Sequence, residues 1–225
     1  MMKTNNPRKI AILGGTGKEG KGLAFRWALA GHTIIIGSRS PEKAAIAADE
    51  IIKLTGEEIS ISGTDNISAA KDADVIVLTV PFSFHKEMLE SIKNYVQGKV
   101  FIDVTVPIVP PKVTRVQMPP EGSAAQQALS ILGENVKIAA AFQNISYENL
   151  LSGNNVDCDV LVTGTDKETR TEVIRLVKDT GLFGLDAGPI ENSVCIEGMT
   201  SILIGINKQF NVQASGIRIT GIPRE

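Results

Sequence analysis

Nearly unbroken apolar runs, separated by amphipathic stretches, fill the first two thirds of the chain. Residues 9–13 (KIAIL), 33–37 (TIIIG), 59–63 (ISISG), 74–80 (DVIVLTV) and 99–104 (KVFIDV) each read as a strand. They show little polar alternation, which predicts parallel strands with helices covering both faces. Between them, residues 18–30, 41–54, 66–71 and 83–96 carry helical patterns, with Pro41 suited to a first helical turn. A further strand of this domain is predicted at 137–142 (KIAAAF). Strand and helix in strict alternation predict a doubly wound α/β sheet.

The rhythm changes after Val104. Residues 104–126 hold five of the ten prolines and cannot form one regular element. Beyond them the pattern predicts a smaller α/β unit. It has a strand at 158–164, a helix at 167–179, a short strand at 181–187, a long helix at about 191–210 and a closing strand at 214–220. The reading divides the chain into a nucleotide-binding domain, 1–146, and a smaller C-terminal domain, 147–225.

Gly15-Thr16-Gly17-Lys18-Glu19-Gly20 matches GxGxxG. The hexapeptide alone is weak evidence, but here it follows a strand and opens a helix, as a Rossmann-type dinucleotide site requires. Gly15 permits the tight turn, Gly17 lets backbone approach a pyrophosphate, and Gly20 allows helix to pack on strand. The helix N-terminus offers free N–H groups to the phosphates. The motif lacks the Gly-Lys-Ser/Thr ending of a Walker A loop.

About 20 residues further on, an NAD site favours an acid for the ribose 2′-hydroxyl. This chain has Ser38, Arg39 and, one turn later, Lys43. A hydroxyl, a guanidinium and an ammonium suit a 2′-phosphate, so NADP is expected over NAD. Thr79-Val80-Pro81 ends a strand on the edge where such sheets bind ligands, and cofactor contact is expected there.

Composition narrows the partners. The chain has 225 residues, 43% apolar and 21% charged, with a formal net charge of −2. This balance excludes a broad basic surface for nucleic acid or anionic membrane. No apolar run is long enough to cross a bilayer, and the first nine residues do not read as a signal peptide. Cys158 and Cys195 lack CxxC spacing and read as buried, reduced thiols of a cytoplasmic protein. No spacing of Cys, His and acidic residues suggests a metal site.

Several blocks then point to a family. ILGGTGKEGKGLAFRWALAGHTIIIGSR (12–39), MPPEGSAAQ (118–126), AFQNIS (141–146), VDCDVLVTG (156–164), DAGPIENS (186–193) and GIRITGI (216–222) span nearly the whole chain. Together they closely resemble the F420-dependent NADP oxidoreductases. The resemblance implies reversible hydride transfer between NADP(H) and the deazaflavin coenzyme F420. It places NADP on Thr16, Ser38, Arg39 and Lys43, and F420 in a cleft between the two domains. Val106-Pro107 and the block holding Gln143 and Ile145 match positions bordering that cleft. One departure stands out: the family often reads Ala-Phe-His-Asn where this chain has Ala141-Phe142-Gln143-Asn144. Gln143 can hydrogen bond but cannot titrate.

Hydride transfer between stacked rings needs positioning and exclusion of water, and no catalytic side chain is expected. Val80, Pro81, Val106, Pro107, Gln143 and Ile145 are the expected positioning residues. His32 and His85 read as structural or surface residues, and Asp186 and Glu191 as turn and cap residues. The GSAAQ stretch (122–126) fits either a helix start or a place of close ligand approach. The apolar helix after Glu191 fits either a homodimer surface or ordinary core. Two other functions stay open: reduction of a different acceptor (a flavin, an imine or a ferric complex), and a non-catalytic NADP(H)-binding sensor.

Overall fold

The computed structural model describes residues 3–152 and 156–224. Its elements are β1 (Lys9–Leu13), α1 (Lys18–Leu29), β2 (Thr33–Ser38), α2 (Pro41–Thr55), β3 (Ile61–Asp65), α3 (Asn66–Asp72), β4 (Val75–Leu78) and α4 (His85–Ile92). They continue with β5 (Val100–Asp103), α5 (Ala124–Leu132), β6 (Lys137–Ala140), α6 (Tyr147–Leu151), β7 (Asp159–Gly164), α7 (Lys167–Asp179), β8 (Phe183–Pro189) and α8 (Ser193–Phe210). The strands form one sheet in the order β3-β2-β1-β4-β5-β6-β7-β8. The first six are parallel, β7 runs antiparallel to β6, and β8 is parallel to β7. The strand order reverses between β1 and β4, and ligands of such sheets bind beside this switch.

The apolar runs arise because each strand feeds two cores. Successive side chains point to opposite faces. Ile10, Ile12, Ile34, Ile36, Val75 and Val77 pack with Leu23 and Trp27 of α1 and Leu176 of α7. Ala11, Leu13, Ile35, Ile76 and Leu78 pack with Ala69 of α3, Leu89 of α4 and Ala128 of α5. Trp27 is fully buried, and its indole N–H donates to the Leu176 carbonyl at 2.8 Å. That bond ties α1 to the C-terminal α7.

Four expectations need adjustment. The strand expected at 59–63 lies at Ile61–Asp65, because Asp65 both ends it and caps α3 by accepting from Ser68 N. Residues 214–220 form no strand. Asp159 N donates to the Ile217 carbonyl, but the next bond runs from Ile219 N to the Asp159 carboxylate, which Arg224 also grips with two nitrogens. A side chain thus replaces the ladder after one rung. The cysteines are not core residues, since Cys158 is half-buried and Cys195 exposed. Finally, GSAAQ proves to be a helix start: Ser123 caps α5 by accepting from Gln126 N.

Candidate functional site

Five parallel strands end together. Pairing aligns Leu13 with Gly37 and with Leu78, Leu78 with Asp103, and Asp103 with Ala140. The residues just beyond these positions include most of the expected site: the glycine loop, Ser38-Arg39, Thr79-Val80-Pro81, Val106-Pro107 and Gln143. They touch through short links. Thr79 donates from both N and Oγ1 to the Leu13 carbonyl at 3.0 Å. Gln143 Nε2 donates to the Asp103 carbonyl at 2.8 Å.

The glycines divide the work of the loop. A Cβ on Gly15 would lie 2.6 Å from the Ile12 carbonyl oxygen, and one on Gly20 would lie 2.6 Å from Gly15 Cα. Both are required by the turn's own packing. Gly14, with φ +70°, passes so close to Val80 that its Cβ would sit 2.6 Å from Val80 Cγ1. At Gly17 the only neighbour of a Cβ is the Gly14 carbonyl oxygen at 3.8 Å. Packing does not require glycine there, which leaves approach by a ligand as its reason. Helices α2, α3, α5, α6 and α7 begin with a Ser or Asp side chain accepting from a first-turn N–H. Helix α1 begins at Gly17 with no side-chain cap, leaving its N–H groups for an anion.

Ser38 is buried, and its Oγ accepts from Ser40 N at 3.3 Å. Exposed Arg39 lies over the Phe84 ring, 4.9 Å from its centroid. Neither Arg39 nor Lys43 pairs with a carboxylate among the described residues. A cation held over an aromatic ring and free of an acid partner is preorganised for a phosphate. The residues present therefore fit NADP.

Further along the edge, Phe142 is buried with φ +73°, a left-handed conformation rare outside glycine. Its edge-to-face contact with Trp27, centroids 5.5 Å apart, stabilises the turn that presents Gln143 and Asn144. Gln143 Oε1 and Asn144 Oδ1 are both shielded from solvent and have no hydrogen-bond partner among the described residues. Buried orphan acceptors are rare and call for a donor, which a polar ligand such as a deazaflavin would supply. Asn144 Nδ2 donates to the Ile196 carbonyl and to Thr200 Oγ1, which itself donates to the Gln143 carbonyl. Helix α8 thereby fixes the turn. Ile145 is buried among Trp27, Phe142 and Leu150 in the core.

The sequence reading missed the group behind this edge. His85 is fully buried, with Nε2 2.7 Å from Asp103 Oδ2 and Nδ1 2.8 Å from Gln127 Oε1. The contact with the Asp103 carboxylate favours the charged ring. Burial opposes that charge, but Asp103, Gln127 and Glu197 outweigh it and hold the pKa above its ordinary value. Asp103 Oδ1 accepts from Thr105 N at 2.9 Å, shaping the start of the turn to Val106-Pro107. Buried Glu197 accepts from Ala124 N and Ala125 N at the start of α5. Burial, with the Asp103 charge adding to it, pushes its pKa up to about 8. His85 lies 18 residues from Asp103, and Glu197 comes from α8, so no local motif announced the cluster. His32 is likewise interior: it accepts from Arg8 N and bonds Asp179. Neither histidine is at the surface.

Other expected positions make contacts of their own within the fold. Asp186 pairs with Arg170 at 2.6 Å and accepts from Gly188 N, while Glu191 is exposed in a short 3-10 turn. Lys18 donates to the Tyr147 hydroxyl of α6 at 2.9 Å.

Comparison with known proteins places these features. A family model described as "NADP oxidoreductase coenzyme F420-dependent" matches residues 9–107. The F420-dependent NADP reductase of Methanocaldococcus jannaschii is 41% identical over 222 residues, covering 95% of this chain and 99% of that protein. Its counterpart in Methanothermobacter thermautotrophicus is 42% identical over 224 residues, covering 96% and 97%. A crystal structure of a putative F420-dependent NADP reductase from Arthrobacter sp. FB24 superposes with a TM-score of 0.79. That structure covers 95% of this chain at 22% identity, a likeness of fold.

Proposed function

Since this chain belongs to the family of F420-dependent NADP reductases, we propose that the carboxyl edge of its sheet holds NADP(H) beside β1 and β2 and F420 against the turns after β5 and β6. The activity is hydride transfer between NADP(H) and coenzyme F420.

The loop residues Gly15 to Gly20, with the uncapped α1, receive the diphosphate through backbone N–H groups. Ser38, Arg39 and Lys43 receive the 2′-phosphate, and Thr79, Val80 and Pro81 line the path of the dinucleotide. Val106, Pro107 and Gln143 face the second ring, with Ile145 packed behind them. These residues orient and shield, and the two cofactors supply the redox chemistry. The observation that carries the reading is the combination of an open α1 N-terminus with Arg39 and Lys43 free of acid partners.

Residues 1–146 serve as the NADP domain, and 147–225 close the acceptor cleft. The bonds from Asn144 and Gln143 to α8 support this division. Helix α8 exposes Met199, Ile202, Ile206 and Phe210 at helical spacing, which supports a homodimer. No described helix is long and apolar enough to cross a membrane, and the unpaired cysteines support a reducing cytoplasmic setting.

Gln143 gives the most local test. Gln143→Ala should raise KM for F420 at least fivefold and leave KM for NADPH within about twofold, because one buried acceptor is lost on the F420 side only. Equal changes in both KM values would remove Gln143 from the acceptor site.

A further inference from the structure

Glu19 is out of place in a phosphate loop. It sits in the first turn of α1, between Gly17 and Gly20, where backbone N–H groups and the helix dipole attract anions. An acid there could serve as a cap, but no side chain caps α1. Although the residue as a whole is only half-buried, its Oε1 is shielded from solvent and has no hydrogen-bond partner among the described residues. Nearby cations point elsewhere: Lys18 is engaged by Tyr147, and Lys21 by Glu50 of α2. Glu148 of α6 accepts from the Tyr147 hydroxyl. A charged carboxylate at Glu19, in the first turn of α1, would share that helix end with a bound diphosphate and repel it.

We propose that Glu19 works as a neutral carboxylic acid in the loaded dinucleotide site, so that NADP(H) binding is coupled to its protonation. The inference rests on the NADP reading above. Burial already pushes the Glu19 pKa up to about 8 in the free protein, so the acid form prevails at neutral pH. A dianionic diphosphate beside it raises that value further, since like charge disfavours the ionised form. Below pH 8 the ligand meets a neutral side chain. Above it, binding must take up one proton. The O–H of the acid is then also a hydrogen-bond donor, which a carboxylate is not.

The coupling is read by equilibrium binding of NADPH, without F420, between pH 7 and 9.5. Kd should be level near pH 7 and rise above pH 8 toward a limit of about tenfold per pH unit, the slope of one linked proton. Glu19→Gln and Glu19→Leu should both abolish that rise. Calorimetry at pH 8.5 in two buffers of different ionisation enthalpy should show proton uptake by the unaltered protein and none by Glu19→Gln. The 2′-phosphate completes its titration near pH 6, and Tyr147 holds the Lys18 pKa above its ordinary 10.5. Glu197 also changes charge in this range, and the His85 pKa is raised toward it, but both residues remain in both variants. A rise that survives in Glu19→Gln belongs to them and overturns the assignment to Glu19, as does a flat profile in the unaltered protein. Failure to bind NADPH at pH 7 would overturn the site reading as well.

Discussion

At the scale of a single side chain, Arg39 is the residue proposed to select NADP over NAD. Its guanidinium rests on Phe84 and pairs with no carboxylate among the described residues, so its charge is available to a 2′-phosphate. Arg39→Ala should weaken NADPH by about 10- to 100-fold, the worth of a charge-assisted bond, and leave NADH within about threefold. Equal losses for the two dinucleotides, measured by fluorescence titration, would refute the 2′-phosphate role. Asp103 carries a different burden, being fully buried against His85. Asp103→Asn should cost about 3–5 kcal/mol in chemical unfolding, because it strands a buried imidazolium. The raised pKa of His85 fixes the sign of the pH effect. Its contribution to stability is full below its ordinary 6.5 and is lost as pH climbs through the higher folded value. Unfolding free energies at pH 6 and pH 9 should therefore fall more for the unaltered protein than for His85→Gln.

At the scale of elements, the loop between β1 and α1 separates folding from binding. Gly20→Ala would drive a methyl to 2.6 Å from Gly15 Cα, against backbone that cannot swing away. It should lower Tm by several degrees, a cost of roughly 1–3 kcal/mol. Gly17→Ala meets only one atom, 3.8 Å away. It should keep Tm within about two degrees and weaken NADPH at least tenfold, because the methyl occupies the approach to the helix N-terminus. A matching loss of Tm in both variants would mean that Gly17 is required by packing rather than by ligand approach in this loop. The turn from β4 into α4 links the two halves of the site in the same economical way. Phe84 supports Arg39, while Phe82 stacks at 5.7 Å on His85, whose partner Asp103 positions Thr105 and Gln143.

At the scale of the whole molecule, the exposed stripe on α8 makes the oligomeric state testable. Ile202→Glu, at a residue 48% exposed, should convert a dimer to a monomer in light scattering with little change in Tm. A monomeric unaltered protein would contradict the homodimer.

Much of this architecture could be read from residue order, for physical reasons. Runs such as Ile10 to Leu13 are apolar at every position because both sheet faces are covered. Arg39 could be read because its distance from the glycine loop is fixed by one helix and one strand. The tail around Ile217 and Ile219 deceived for the opposite reason. Its composition is that of a strand, but the Asp159 carboxylate takes the N–H that a ladder would use. The His85, Asp103 and Glu197 cluster was illegible because three distant segments assemble it.

The most direct test mixes purified protein with NADPH and oxidised F420 under anaerobic conditions and follows the F420 absorbance. Hydride transfer predicts its loss with stoichiometric oxidation of NADPH, far faster than with NADH. Tight NADPH binding without any reduction of F420 would contradict the assignment.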